Sequence, residues 1–207
     1  MLTLSKKAEA MPSSPIRKLV PYAEAAKKRG VKVYHLNIGQ PDIESPKEAL
    51  DAVKNCDLKV IAYTNSAGEE SYRKGLVEYY KGIGINLTPQ EIIVTASGTE
   101  AVQLALAVTC NPDDEVIVME PFYTNYNSFA LQNDVKLVPI STSIEDGFKL
   151  PAMEEFEKHI TPKTKGILIC NPGNPTGTLY TKEAINTLGE IAKKHNLVVI
   201  EDGAQVI

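Results

Sequence analysis

From Glu91 onward the sequence keeps one rhythm, in which short and almost wholly apolar runs alternate with helical stretches. Residues 92–95, 115–119, 135–140, 166–170 and 197–200 read as strands. Between them, Ala101, Leu104, Ala105 and Val108 fall at helical spacing, as do residues 125–132, 153–159 and the set Ile185, Leu188, Ile191 and Ala192. Strands that are apolar throughout are buried on both faces. Helices packed on both sides of a parallel sheet bury them in that way. The pattern over residues 90–207 therefore predicts an open α/β fold: three layers, α/β/α, around a mostly parallel sheet. Ligands of such sheets bind beyond the carboxyl ends of the strands. The turns expected there are Ser97-Gly98-Thr99, residues 121–126, residues 171–177 and Asp202.

The front of the chain is more loosely patterned. Residues 1–15 read as an arm, and Ser13-Ser14-Pro15 as a helix start. Ile16, Leu19, Val20, Ala23 and Ala26 form the apolar stripe of that helix, and Gly30 ends it. Residues 31–38 read as a short strand stopped by Gly39-Gln40-Pro41-Asp42. Pro46 opens a helix carrying Ala49, Leu50 and Val53. A polar turn from Tyr63 to Gly68 leads into another helix over residues 69–81, closed by Gly82 and Gly84.

Several function classes are disfavoured by what is missing. A net charge of −4 offers no basic field for nucleic acid or an anionic membrane. No apolar run approaches the roughly 20 residues of a membrane span. Residues 1–12 lack the apolar core of a signal peptide, so a cytoplasmic location is the expectation. Cys56, Cys110 and Cys170 are odd in number and far apart, which fits neither a disulfide framework nor a metal pair. Cys110 and Cys170 are expected as buried free thiols. His35, His159 and His195 show no metal spacing.

The strand-end turns carry the chemistry. Ser97-Gly98-Thr99 joins a strand to a helix, where unpaired N–H groups and the peptide dipoles attract an anion. Gly98 permits close approach and two hydroxyls add donors, which makes a phosphate cradle. Ser97 and Glu100 also have the spacing of a capping box, which serves only to start the helix. Asp202 lies where a sheet delivers a carboxylate to a ligand crevice. It suits a pyridine-type ring nitrogen, or alternatively the cap of a helix or turn after the strand. Asn171-Pro172-Gly173-Asn174-Pro175-Thr176-Gly177 is a rigid polar loop from which Asn174 can reach a ring oxygen. Tyr123 can stack on a flat ligand, with Phe122 or Tyr126 as the competing candidate for the inward-packed ring. The Tyr63 hydroxyl can reach a phosphate, and the Gly39 backbone a substrate carboxylate.

Taken together and in order, these turns resemble the class I/II aminotransferases, the pyridoxal 5'-phosphate (PLP) enzymes of fold type I that include aspartate aminotransferases. Residues 171–177 carry the likeness most specifically. Residues 38–42, 63–68, 97–101 and 120–123 support it. The resemblance implies that Ser97, Gly98 and Thr99 hold the PLP phosphate and that Tyr123 stacks on the ring. It implies that Asn174 bonds the ring 3-oxygen and Asp202 the ring nitrogen. Tyr63 resembles a residue that reaches the neighbouring subunit's cofactor, and Gly39 and Asn174 resemble substrate-binding positions. A homodimer acting on an amino acid, aspartate favoured, and a 2-oxo acid is implied, with neither nucleic acid nor membrane as partner.

Two departures qualify the likeness. The family places a tyrosine three residues past the aspartate, where this chain has Gln205, and the run 201–205 looks more like sugar aminotransferases. No lysine follows Lys194, although the family's Schiff-base lysine lies beyond the aspartate. The expectation is therefore of the family's N-terminal portion only, with a truncated sheet: residues 1–60 as arm and part of the small domain, and 61–207 as an incomplete PLP-binding domain. The chain alone is expected to be inactive. The alternatives are a non-catalytic module of the same fold, a PLP-dependent lyase and a sugar aminotransferase.

Overall fold

The computed structural model describes residues 2–14, 17–39 and 41–205. The expectations placed on Pro15, Ile16, Gln40 and the 206–207 terminus lie outside the described residues. In chain order the helices are α1 (Lys6–Ala10), α2 (Val20–Lys28), α3 (Lys47–Lys54), α4 (Glu70–Gly82), α5 (Gly98–Thr109), α6 (Tyr126–Gln132), α7 (Met153–His159) and α8 (Lys182–His195). The strands are β1 (Glu115–Glu120), β2 (Lys136–Ser141), β3 (Thr164–Cys170) and β4 (Val198–Asp202). The chain divides into two compact units, residues 15–95 and residues 1–14 with 96–207.

The second of these units holds the sheet. Its order is β2-β1-β3-β4, and every pairing is parallel. Strand side chains alternate between faces, and the alternation assigns each residue to a layer. Val116 and Val118 of β1 and Leu168 of β3 pack with Val102 and Leu106 of α5 and with Tyr126, Phe129 and Ala130 of α6. Ile117 and Met119 of β1 and Ile167 and Ile169 of β3 pack with Phe156 of α7 and with Leu188 and Ile191 of α8. Each face thus has its own helical layer, which explains why the strands are apolar at consecutive positions. Full burial of one such aliphatic side chain contributes about 1.5–3 kcal/mol.

The helix ends follow from their sequences. Ser97 is extended (φ −168°, ψ 165°), and its hydroxyl accepts from the Glu100 N–H at 3.4 Å. The Glu100 carboxylate returns to the Ala96 N–H at 2.6 Å. Thr181 caps α8 by accepting from the Ala184 N–H at 3.2 Å. Asn196, left-handed at φ 54°, closes α8. Lys193, Lys194 and His195 in its last turn complement the helix dipole.

Residues 15–95 behave differently. Gly30 and Gly84 end α2 and α4 with positive φ, at 78° and 86°. Among the described residues only Gly68 and Ile92 are buried in this unit, and Leu19, Val20, Leu50 and Val53 are exposed. Two expected strands do not form. Residues 31–38 meet no pairing strand among the described residues and remain irregular. In 92–95, the Val94 N–H is spent on the Ala67 carbonyl at 3.0 Å instead of a ladder. Cys110 and Cys170 are half-buried, not buried, because both sit past the last core position of their elements.

Candidate functional site

Because all four strands are parallel, their carboxyl ends share one edge of the sheet. The segment 121–126 leaves β1 there, 171–177 leaves β3, and β4 ends at Asp202. Helix α5 precedes β1 in the chain, and its Val102 and Leu106 share a core cluster with Val116 and Val118. Helix α5 also packs against β4.

Asp202 is the most constrained group at this edge. One carboxylate oxygen, Oδ2, accepts from the Tyr126 hydroxyl at 2.6 Å, and Oδ1 accepts from the Ala204 N–H at 3.1 Å. Tyr126 is only 1% exposed. Burial first, and then the Asp202 hydrogen bond and charge, push its phenol far above the ordinary tyrosine range. Tyr126 therefore stays protonated and acts as a donor. Its ring stacks on Phe122 (6.2 Å, 15°) and meets Tyr123 edge-on (5.5 Å, 87°). Of the three rings in 122–126, Tyr126 is the one fully buried. Tyr123 is half-buried, and its hydroxyl accepts from the Asn125 side-chain amide at 2.7 Å.

The 171–177 loop is held by its own bonds. The Asn171 N–H donates to the Asp202 carbonyl at 3.1 Å, which ties the loop to β4. The Asn171 side chain donates to Glu201 at 3.2 Å and accepts from the Tyr180 N–H at 3.1 Å. Gly173 donates to the Thr178 carbonyl at 2.8 Å, and Gly177 to the Gly173 carbonyl at 2.7 Å. Beside this loop lies a small cleft, partly open to solvent, lined by Phe122, Tyr126, Cys170, Asn174 and Thr176 among others. Burial pushes the Cys170 thiol up, and its sulfur donates to the Pro172 carbonyl at 3.2 Å.

The expected site residues are thus distributed. Asn174 lines the cleft, and Asp202 is joined to it through Tyr126. Ser97, Gly98 and Thr99 form the exposed head of α5, and they and Tyr123 are not among the cleft's lining residues. A Cβ built on Gly98 would meet nothing within 4 Å beyond its chain neighbours and its own helix backbone. Gly39 and Tyr63 belong to the 15–95 unit and are both exposed. Two residues that organise the edge do not stand out as contributors in the sequence. Tyr126 reads there only as a packed ring, and Asn171 only as part of a rigid loop. The available signal for Tyr126 is a phenol in an apolar helix, which needs a partner once buried. Among the described residues no His, Cys, Asp and Glu cluster is arranged to hold a metal, and no helix is long and apolar enough to cross a membrane.

A parallel sheet between two helical layers, with a carboxylate fixed by two donors at its carboxyl edge, defines a three-layer α/β protein. Residues 31–204 match the family "Aminotransferase class I and II", and the chain belongs to that PLP-dependent family. The aspartate/prephenate aminotransferase of Thermus thermophilus is 30% identical over 204 residues, covering 98% of this chain and 53% of that protein. The structure resembles that of an aspartate aminotransferase from Thermotoga maritima (TM-score 0.89, 29% identity, 96% of this chain and 53% of that one). It also resembles that of an alanine aminotransferase from Pyrococcus furiosus (TM-score 0.87, 35% identity, 96% and 51%). The expectation of an N-terminal portion only is corrected by the family match, since the aminotransferase domain takes up almost the whole chain. The chain spans about half the length of the curated relatives it matches.

Proposed function

We propose that this chain seats PLP at the carboxyl edge of its sheet and serves amino-group transfer between an aspartate-like amino acid and a 2-oxo acid. The observation that carries the reading is Asp202, a carboxylate fixed on both oxygens at a strand end beside the Asn174 cleft. The donor set fits the group: backbone N–H donors at Gly98 for a phosphate, an anion for a ring nitrogen, an amide for a ring oxygen, and aromatic walls. When bound, PLP supplies an electron-accepting ring that acidifies the α-proton of an amino acid.

The work left to this chain is binding and orientation. Ser97, Gly98 and Thr99 hold the phosphate, Tyr123 stacks on the ring, Asn174 bonds its 3-oxygen, and Asp202 keeps its nitrogen protonated. Asn174 offers its amide to the substrate, and the Gly39 backbone keeps a substrate-binding role by family likeness. Tyr63 reaches the cofactor of a second copy in a homodimer, a role supported by the full exposure of its side chain.

An absorbance titration of the chain with PLP tests this reading. Saturable binding is expected, with a loss of about tenfold in affinity on Asp202→Asn. Unchanged affinity in that variant would remove Asp202 from the site.

A further inference from the structure

We propose that Tyr126 is a positioning residue for the cofactor ring, acting through Asp202 by fixing the carboxylate oxygen that faces it. This inference rests on the reading of Asp202 as the partner of a ring nitrogen. An aspartate at the end of a strand has two free torsions, and a carboxylate that swings loses directional pairing with a ring. Here two donors from different directions remove that freedom. The Tyr126 hydroxyl comes from α6 at 2.6 Å, and the Ala204 N–H from the turn after β4 at 3.1 Å.

The phenol is suited to the task. It is buried to 1% exposure, its ring is locked between Phe122, Tyr123 and Phe129, and it sits in the core cluster with Val118 and Leu168. A donor carried by such a ring is pre-organised, so the bond to Asp202 costs little ordering. Tyr126 also lines the Asn174 cleft. One side chain therefore touches the core, the cleft and the carboxylate. A hydrophobic residue would have served the core alone, and the hydroxyl is explained by what it holds. The bond spans 76 residues and joins the first strand-end segment to the last described one.

The test uses Tyr126→Phe, which keeps the ring and deletes the donor. Two ligands are titrated against the 207-residue chain: PLP, and its carbocyclic analogue with CH in place of the ring nitrogen. The expected result is a loss of roughly tenfold in PLP affinity with binding of the analogue unchanged, and the same pattern for Asp202→Asn. In the double variant the losses should not add. Equal weakening toward both ligands would make Tyr126 merely structural and overturn the proposal. Full PLP affinity in Tyr126→Phe alongside a loss in Asp202→Asn would also overturn it, and would leave the Asp202 reading standing. No loss in Asp202→Asn would remove that reading and this inference together.

Discussion

Gly166 and Val198 pair in register across β3 and β4 so closely that a Cβ on Gly166 would lie 2.8 Å from the Val198 carbonyl oxygen. The obstructing atom is backbone inside a ladder and cannot turn aside. Gly166→Ala should therefore spread the two strands and destabilise the fold by about 1–3 kcal/mol. Gly189 is the internal control. It lies mid-helix in α8, exposed, with nothing within 4 Å of its would-be Cβ. Gly189→Ala should stabilise by about 1 kcal/mol through helix propensity. Urea unfolding of both variants checks the opposite signs.

Phe156 is 1% exposed and shares a core cluster with Ile117, Ile140 and Ile191. Truncation to alanine leaves a cavity walled by strand side chains that cannot collapse into it. Phe156→Ala should cost about 3–5 kcal/mol, measured by chemical denaturation. A loss below about 1 kcal/mol would mean that this layer is not a packed core.

The sheet unit is legible in the sequence because its central strands β1 and β3 are covered on both faces, while Val198 and Val199 of the edge strand β4 stay exposed. Val116-Ile117-Val118-Met119 is apolar at four successive positions, and only a doubly covered strand uses such a run. The 31–38 and 92–95 segments mark where apolar character stops being sufficient. It identifies a segment that seeks cover, whereas a strand also needs a ladder partner, and the Val94 amide takes a turn carbonyl instead. The same limit applies at the site. Asp202 and Asn174 are legible by type and place, because strand ends in parallel sheets face ligands. The bond from Tyr126 to Asp202 is not, because it crosses 76 residues and depends on which of three neighbouring rings points inward. Ser97 has the sequence context of both a cap and a phosphate ligand, and its hydroxyl does take the Glu100 N–H as a cap.

The three cysteines should separate by rate in alkylation. Thiolate is the reactive form, so a thiol pushed up by burial reacts slowly at a given pH. Cys110 and Cys170 are both pushed up, burial being the largest cause in each, and both are half-buried. Cys56 is exposed. With iodoacetamide at about pH 8 in native buffer, peptide mass mapping should show Cys56 labelled first and the other two lagging by about tenfold or more. In denaturant all three should react alike. Early labelling of Cys170 would contradict its packing at the cleft.

Alkaline unfolding should carry the signature of the buried phenols. Tyr126 and Tyr180 are both pushed up, chiefly by burial, with Asp202 adding to the effect on Tyr126. Below the ordinary tyrosine value, near about 10, folded and unfolded chains hold the same phenolic protons and the stability is fully present. Above it the unfolded chain releases protons that the folded chain retains, so the unfolded state binds fewer and stability falls as pH rises. The decline continues until the folded-state phenols themselves ionise. One such group gives a slope of up to about 1.4 kcal/mol per pH unit. Tyr126→Phe removes one titrating proton, so its stability should fall less steeply between about pH 10 and 11.5 than that of the wild-type chain. Urea midpoints taken across that range measure the two slopes. Parallel curves would mean that the Tyr126 hydroxyl ionises as freely in the folded chain as in the unfolded one, which its burial against Asp202 does not allow.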